Sequence, residues 1–259
     1  MNKPIGIFDS GVGGTSIWKE IQHTLPNEST LYLSDSSNAP YGNKSKKEIL
    51  DLSIKNTEFL LKANAKVIVV ACNTATTNAI AYLRANYDIP FIGIEPAIKP
   101  AAIASHTKKV GILATKGTLN SDLFAKTSSK FDQITFIEQV GTGLVEAVEN
   151  GDLSSQQLER TLSKYLHPMM EQHIDQLVLG CTHYPYLRPL IEKIIKSQIP
   201  IIDSGFAVAK QTKAIIEKYH LDAPANNSVF HRFITNGKED VLRNLLQKYP
   251  KIEVSTQDF

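Results

Sequence analysis

Short, nearly uninterrupted apolar runs recur along the chain, each followed by small or hydroxyl residues and then by a longer mixed stretch. Ile5-Gly6-Ile7-Phe8, Leu31-Tyr32-Leu33, Lys66 to Ala71, Asp88 to Ile94, Lys109 to Ala114, Gln133 to Val140, Leu177 to Gly180 and Ile199 to Ile202 are such runs. They read as strands, and the run into Cys72, without a charge from Val67 to Ala71, reads as a buried one. Between them, mixed stretches predict helices around Ile17 to Leu25, Ser45 to Ala63, Thr76 to Asn86, Ser154 to His173 and Phe206 to Tyr219. Pro96 and Pro100 read as a connection. Val229 to Thr235 and Ile252 to Val254 predict closing strands around a helix near Lys238 to Gln247. Strand and helix alternate throughout, which predicts parallel α/β units.

The pattern restarts at residue 109. Lys109 to Thr118 resembles Ile5 to Gly11, and a cysteine follows each start at a comparable distance, Cys72 after an apolar strand in the first half and Cys181 after another in the second. These are the only cysteines in 259 residues. Each is followed by hydroxyl residues suited to opening a helix, so the chain reads as an internal structural duplication. A lone cysteine after a strand is by default a small buried hydrophobe; two in matched places point to chemistry.

Composition narrows the setting. A chain 42% hydrophobic and 21% charged, with a formal net charge of +2, is an ordinary globular protein without a field that would argue for nucleic acid. No run reaches the ~20 apolar residues of a membrane span, and the N-terminus runs directly into a strand, so a cytoplasmic location without membrane association is expected. Two cysteines make no disulfide framework, and Cys181-Thr182-His183 supplies too few ligands for a metal.

Thiols at the ends of corresponding strands would face each other if the two halves pack with those ends together. A substrate between them would have one thiol on each face, the arrangement needed to invert a carbon acid by removing a proton from one side and returning one from the other. A free thiol with pKa near ~8.5 can exchange roles with its thiolate without a metal. Asp9, ending an adjacent strand, could accept a proton from Cys72; His183 could serve Cys181, and Glu149 could hold the imidazole, although Glu146 is equally available. The glycine-rich turn Asp9 to Ser16 either needs glycine for geometry alone or turns backbone N–H groups toward an anion. Tyr41-Gly42 after Pro40 is an ordinary turn or part of a functional loop.

Five motifs in order carry a family resemblance: Phe8-Asp9-Ser10-Gly11-Val12-Gly13-Gly14, Pro40-Tyr41-Gly42, Ala71-Cys72-Asn73-Thr74-Ala75, Gly180-Cys181-Thr182-His183-Tyr184-Pro185 and Ile202-Asp203-Ser204-Gly205. The chain resembles the cofactor-independent glutamate racemases of the aspartate/glutamate racemase superfamily. The resemblance implies interconversion of L- and D-glutamate for peptidoglycan, with no cofactor and no metal. It implies two pseudo-symmetric parallel-sheet α/β domains, residues 1–97 with 208–259 and residues 98–207, with the active site in the cleft between them. Carried over by position, Cys72 and Cys181 are the acid/base thiols facing the hydrogens of the D- and L-enantiomers respectively, with Asp9, His183 and Glu149 assisting. Substrate contacts are expected from Asp9, Ser10, Tyr41, Gly42, Asn73, Thr74, Thr118, Thr182 and His183. A homodimer is what the family suggests. One departure is that Gly141-Thr142 replaces the Cys-Pro pair that many members carry ahead of the Glu149 segment. Because the chain starts only a few residues before its first strand, dependence on a cell-wall precursor as activator is not expected. The other readings are a racemase for aspartate or another amino acid, a hydrolase using Cys181 with His183, which leaves Cys72 without a role, and a non-catalytic amino-acid-binding protein, which has no need of opposed thiols.

Overall fold

A computed structural model describes residues 3–224, 228–249 and 251–259. The first sheet is built from β1 (Ile5–Asp9), β2 (Thr30–Ser34), β3 (Val67–Val70) and β4 (Phe91–Gly93), and is completed late in the chain by β9 (His231–Thr235) and β10 (Ile252–Thr256). The second contains β5 (Lys109–Ala114), β6 (Thr135–Val140), β7 (Gln176–Gly180) and β8 (Ile201–Ile202). Every pairing is parallel.

The two sheets share one plan. Their orders are β10-β9-β2-β1-β3-β4 and β6-β5-β7-β8, so the last four strands of the first correspond to the whole of the second. The register is also the same. Gly6 pairs with Ile68, four residues before Cys72, and Gly111 pairs with Leu177, four residues before Cys181. Each of these glycines lies beneath the end of the helix that leads to its cysteine strand. A Cβ on Gly6 would lie 2.9 Å from Ala65, just past α2 (Lys46–Lys62), and one on Gly111 would lie 2.7 Å from Ile174, just past α8 (Gln156–Glu171). The absence of a side chain lets each helix end settle onto its sheet and fixes where the next strand begins.

Helices cover the sheet faces, and β1, β3 and β7 are buried along their whole length, while β6 at the edge of the second sheet has no buried residue. The helix α2 carries a reciprocal capping box between Ser45 and Glu48. Several elements differ from the sequence expectation. The helix after Cys72, α3 (Asn73–Asn86), starts at once rather than at Thr76, because the Cys72 sulfur itself caps it by accepting from Ala75 N at 3.4 Å. Pro96 and Pro100 do not mark a bare connection: Pro100 sits in the first turn of a short helix, α4 (Ile98–Ala104), where proline is tolerated. After Cys181 the chain forms a 3₁₀ turn, Tyr184–Leu187, before α9 (Arg188–Ile194). The remaining helices are α1 (Thr15–Thr24), α5 (Lys116–Leu119), α6 (Asp122–Ser128), α7 (Leu144–Glu149), α10 (Gly205–Lys218) and α11 (Glu239–Leu246). No helix among the described residues is long and apolar enough to cross a membrane.

One buried ion pair fastens the returning chain to the first sheet. Lys66 Nζ lies 2.5 Å from Glu28 Oε2, both side chains only 5% exposed. The same ammonium donates to the Leu221 carbonyl, and Glu28 Oε1 accepts from Ala223 N at 2.8 Å, just beyond α10. Leaving one charge of such a pair buried without its partner costs about 3–5 kcal/mol. Lys66→Met is therefore expected to lose about that much in urea unfolding, and Lys66→Met combined with Glu28→Leu to recover most of it; equal loss in both variants would mean that the pair's charge is not what matters.

Candidate active site

Both sheets present the C-terminal ends of their strands to a common polar region, the usual ligand position for parallel sheets. A small cavity there has both cysteines in its wall, together with Ser10, Pro40, Tyr41, Gly42, Asn73, Thr74, Thr115, Val145, Thr182 and His183. Cys72 and Cys181 are both free thiols and buried. Nine of the residues expected from the sequence line this cavity. Asp9, Glu149 and Thr118 stand one layer behind it.

The two sulfurs have unequal surroundings. Cys72 donates to Ser10 Oγ at 3.7 Å and sits at the N-terminus of α3, whose dipole favours a thiolate. Burial and the nearby charge of Asp9 outweigh that, and its pKa is pushed far above the ordinary thiol range, so Cys72 rests as a thiol. Cys181 lies 3.7 Å from His183 Nδ1. The other ring nitrogen, Nε2, is 2.5 Å from Glu149 Oε1. Burial opposes a charge on this imidazole, but hydrogen bonds to Cys181 and Glu149 hold its pKa well above the usual histidine range. Nε2 also lies 3.3 Å from Gly13 N, so the ring links the second sulfur, the Glu149 carboxylate and the glycine-rich turn.

The glycine-rich turn after β1 holds the supporting layer. Asp9 Oδ2 accepts from Gly11 N at 3.1 Å and Gly14 N at 3.0 Å, and its Oδ1 accepts from the Thr182 hydroxyl at 3.2 Å. Its oxygens thus face the turn and Thr182, and its influence on Cys72 comes through its charge. Glu149 Oε1 accepts from Val12 N at 2.7 Å, and its Oε2 from the Ser36 hydroxyl at 2.8 Å. The N–H groups of Gly11, Val12 and Gly14 do face anions, which are the protein's own carboxylates, while that of Gly13 faces His183 Nε2. Glycine is needed by space: a Cβ on Gly11 would come within 1.8 Å of Glu149 Oε1, and one on Gly13 within 2.2 Å of His183 Nδ1. Glu146 has no part in this layer.

Asn73 is the polar outlier. It is buried, it lines the cavity, and neither its Oδ1 nor its Nδ2 has a hydrogen-bond partner. A buried carboxamide left so costs free energy, which a ligand with both donors and acceptors would remove. Tyr41 differs: its hydroxyl donates to the Asp35 carboxylate and accepts from Asn56 Nδ2 at 3.1 Å, so its OH is held away from the cavity.

Thr115 was not among the residues expected from the sequence. Its hydroxyl lies 2.9 Å from Thr74 Oγ1 and 2.9 Å from Thr118 Oγ1, forming a hydroxyl cluster that joins α3 to the second sheet. The signal for it was available: with Gly6 set against Gly111, Thr115 occupies the place of Ser10. No group of three or more His, Cys, Asp or Glu side chains among the described residues is placed to hold a metal ion.

The fold and the site define an α/β protein with two buried thiols in the wall of one small cavity, each at the end of an equivalent parallel strand. The family model described as Asp/Glu/hydantoin racemase matches residues 5–212. The chain is 45% identical over 247 residues to the glutamate racemase of Pseudomonas entomophila, covering 94% of this chain and 92% of that one. Among solved structures it is similar to a glutamate racemase isoform of Bacillus anthracis (TM-score 0.88, 32% identity, 99% and 98% of the two chains). It is also similar to the Escherichia coli glutamate racemase in complex with L-glutamate and the activator UDP-MurNAc-Ala (TM-score 0.85, 31% identity, 98% and 97%). The chain belongs to the Asp/Glu/hydantoin racemase family, and within it to the glutamate racemases. It is an isomerase acting on amino acids.

Asp9 yields a stability test. Burial is the main cause that raises its pKa to about 6, against relief from His183 and the Gly14 and Gly11 N–H groups. A carboxyl whose folded pKa is raised favours folding while protonated, and that contribution is lost as pH rises from about 4 through about 6. Asp9→Asn, which keeps the shape, is expected to gain about 2–3 kcal/mol over the parent at pH 8 and little at pH 4. Unfolding curves at the two pH values check this; a gain that is the same at both would show that the carboxylate's charge is not its source.

Proposed function

We propose that the chain interconverts L- and D-glutamate through two cysteines acting on opposite faces of the α-carbon. The observation that carries this reading is that Cys72 and Cys181, placed by identical strand registers, line one cavity. With L-glutamate bound, Cys181 as thiolate takes the α-proton: the C–H bond breaks, an S–H bond forms, and the electron pair stays on carbon. The Cys72 thiol then gives its proton to the opposite face, leaving D-glutamate and a thiolate at Cys72. From the D side the roles reverse.

The helpers act on the sulfurs. Protonated His183, oriented by Glu149, stabilises negative charge on Cys181. The support at Cys72 is of the opposite sense: Ser10 is its hydrogen-bond partner, and the Asp9 charge keeps the proton on sulfur until substrate arrives. The carboxylates of glutamate are bound by donors on the cavity wall, among which the unpartnered Asn73 amide and the Thr74 and Thr115 hydroxyls, backed by Thr118, stand ready. The same reading assigns residues 1–97 and 208–259 to one domain and 98–207 to the other. Glutamate is favoured by the L-glutamate bound in the E. coli relative. A cysteine hydrolase would leave Cys72 without a role.

In deuterium oxide with L-glutamate and no added cofactor, the protein is expected to abolish optical activity while the α-proton signal disappears; retention of both overturns the proposal. Replacing either cysteine by serine removes a proton carrier of suitable acidity and is expected to lower racemisation at least about 100-fold. If Cys72→Ser racemises at the parental rate, the two-thiol assignment is wrong.

A further inference from the structure

The cavity between the thiols is not isolated. Gly42 lines it, and also lines two further openings that lead outward. The nearer is a narrow passage between Pro40-Gly42-Asn43 on one side and Thr115-Lys116 with the Val140 to Glu146 segment on the other. The farther is an open groove between the start of α2 and the α3–α5 region, bordered by Lys44, Lys46 and Lys116. Lys116 belongs to both openings, so one exposed ammonium follows the route from surface to passage.

The groove is one-sided in charge. Three lysines line it and no carboxylate does; Glu146 is the acid in the passage wall. Of the acids close by, Glu48 is engaged by the Ser45 backbone and hydroxyl in the capping box of α2, and Asp122 sits at 3.2 Å from Lys46. Lys44 and Lys116 have no ion-pair partner among the described residues. The rest of the groove wall is neutral, with Asn43, Asn78 and Asn120 prominent. On a chain whose formal net charge is only +2, this is a local concentration of positive charge at the mouth of a cavity.

We propose that this groove is the entry route for a dicarboxylate substrate, with Lys44 and Lys116 drawing in its second carboxylate and so favouring di-acids over mono-acids. The inference rests on the reading of the cavity as a glutamate site. A cleft lined by one sign of charge raises the local concentration of the opposite sign and the rate of encounter, and loses that effect as salt screens it. Zwitterionic amino acids with neutral side chains carry no net charge and gain nothing from the field.

The test compares the parent with Lys44→Met/Lys116→Met. A control, Lys62→Met/Lys164→Met, makes the same change in net charge at exposed positions elsewhere; Lys62 lies at the far end of α2, about 24 Å from its start. At low ionic strength the groove variant is expected to lose about three- to tenfold in kcat/KM for both enantiomers, through KM with kcat unchanged. The difference is expected to close at 0.5 M salt, and the control is expected to match the parent. Glutarate and norvaline binding, followed by calorimetry over the same salt series, reads the groove without turnover: the variant should weaken glutarate and leave the net-neutral norvaline unaltered. If the parent binds glutarate but does not racemise glutamate, the functional reading fails and the groove is still judged on binding. If parent and groove variant share the same glutarate affinity and salt slope, or if the control loses as much as the groove variant, the proposal is overturned.

Discussion

Three backbone N–H groups in four residues, at Gly11, Val12 and Gly14, point at the buried Asp9 and the part-buried Glu149, and the layer behind the two thiols rests on that contact. Asp9 belongs to the first sheet and Glu149 to the end of α7 beside the second, so a single turn organises charge contributed by both. Without these donors Asp9 would be buried with too few partners, a costly state in a low-dielectric site. The turn also leaves room for His183 to reach Glu149, because Gly13 presents no side chain to the ring.

From that turn outward, a set of supporting bonds crosses between the halves. The Thr182 hydroxyl meets Asp9, the Ser16 hydroxyl meets the Thr182 carbonyl at 2.9 Å, and Ser36 meets Glu149. The Ser204 hydroxyl reaches the Glu95 carbonyl, joining the two places where the chain passes between the sheets. The Asp203-Ser204-Gly205 motif, which echoes Asp9-Ser10-Gly11 in sequence, does different work. Asp203 holds Arg188 at 2.9 Å and Gly205 N at 3.0 Å, and secures the start of α10.

The strands and their cysteines were legible because a strand enclosed on both faces must be apolar along its whole length, and its end shows where polar residues begin. The repeat was legible for the same reason, down to the glycines that admit the helix ends. The helix α4 was hidden by its prolines, which break helices in the interior but are tolerated in a first turn. Thr115 is masked by Thr118, since both lie in one hydroxyl-rich segment, although setting Gly6 against Gly111 places Thr115 opposite Ser10. The choice between Glu149 and Glu146 was open in sequence because it is decided by a contact with His183, which lies on the other side of α8 and β7. What the glycine-rich turn binds was hidden for the same cause: its N–H groups meet a carboxylate 137 residues away.

The unlike company of the two sulfurs, a serine hydroxyl beside one and a charged imidazole beside the other, invites the idea that one direction of reaction is favoured. Thermodynamics forbids it. Mirror-image amino acids have equal free energy in an achiral solvent, so their interconversion has an equilibrium constant of one. The kcat/KM values from the two sides must then be equal, however unequal the thiols. The asymmetry can be expressed only in how tightly each enantiomer is held at rest and in which proton transfer is the slow one, so that a lower KM for one hand is bound to a lower kcat for the same hand.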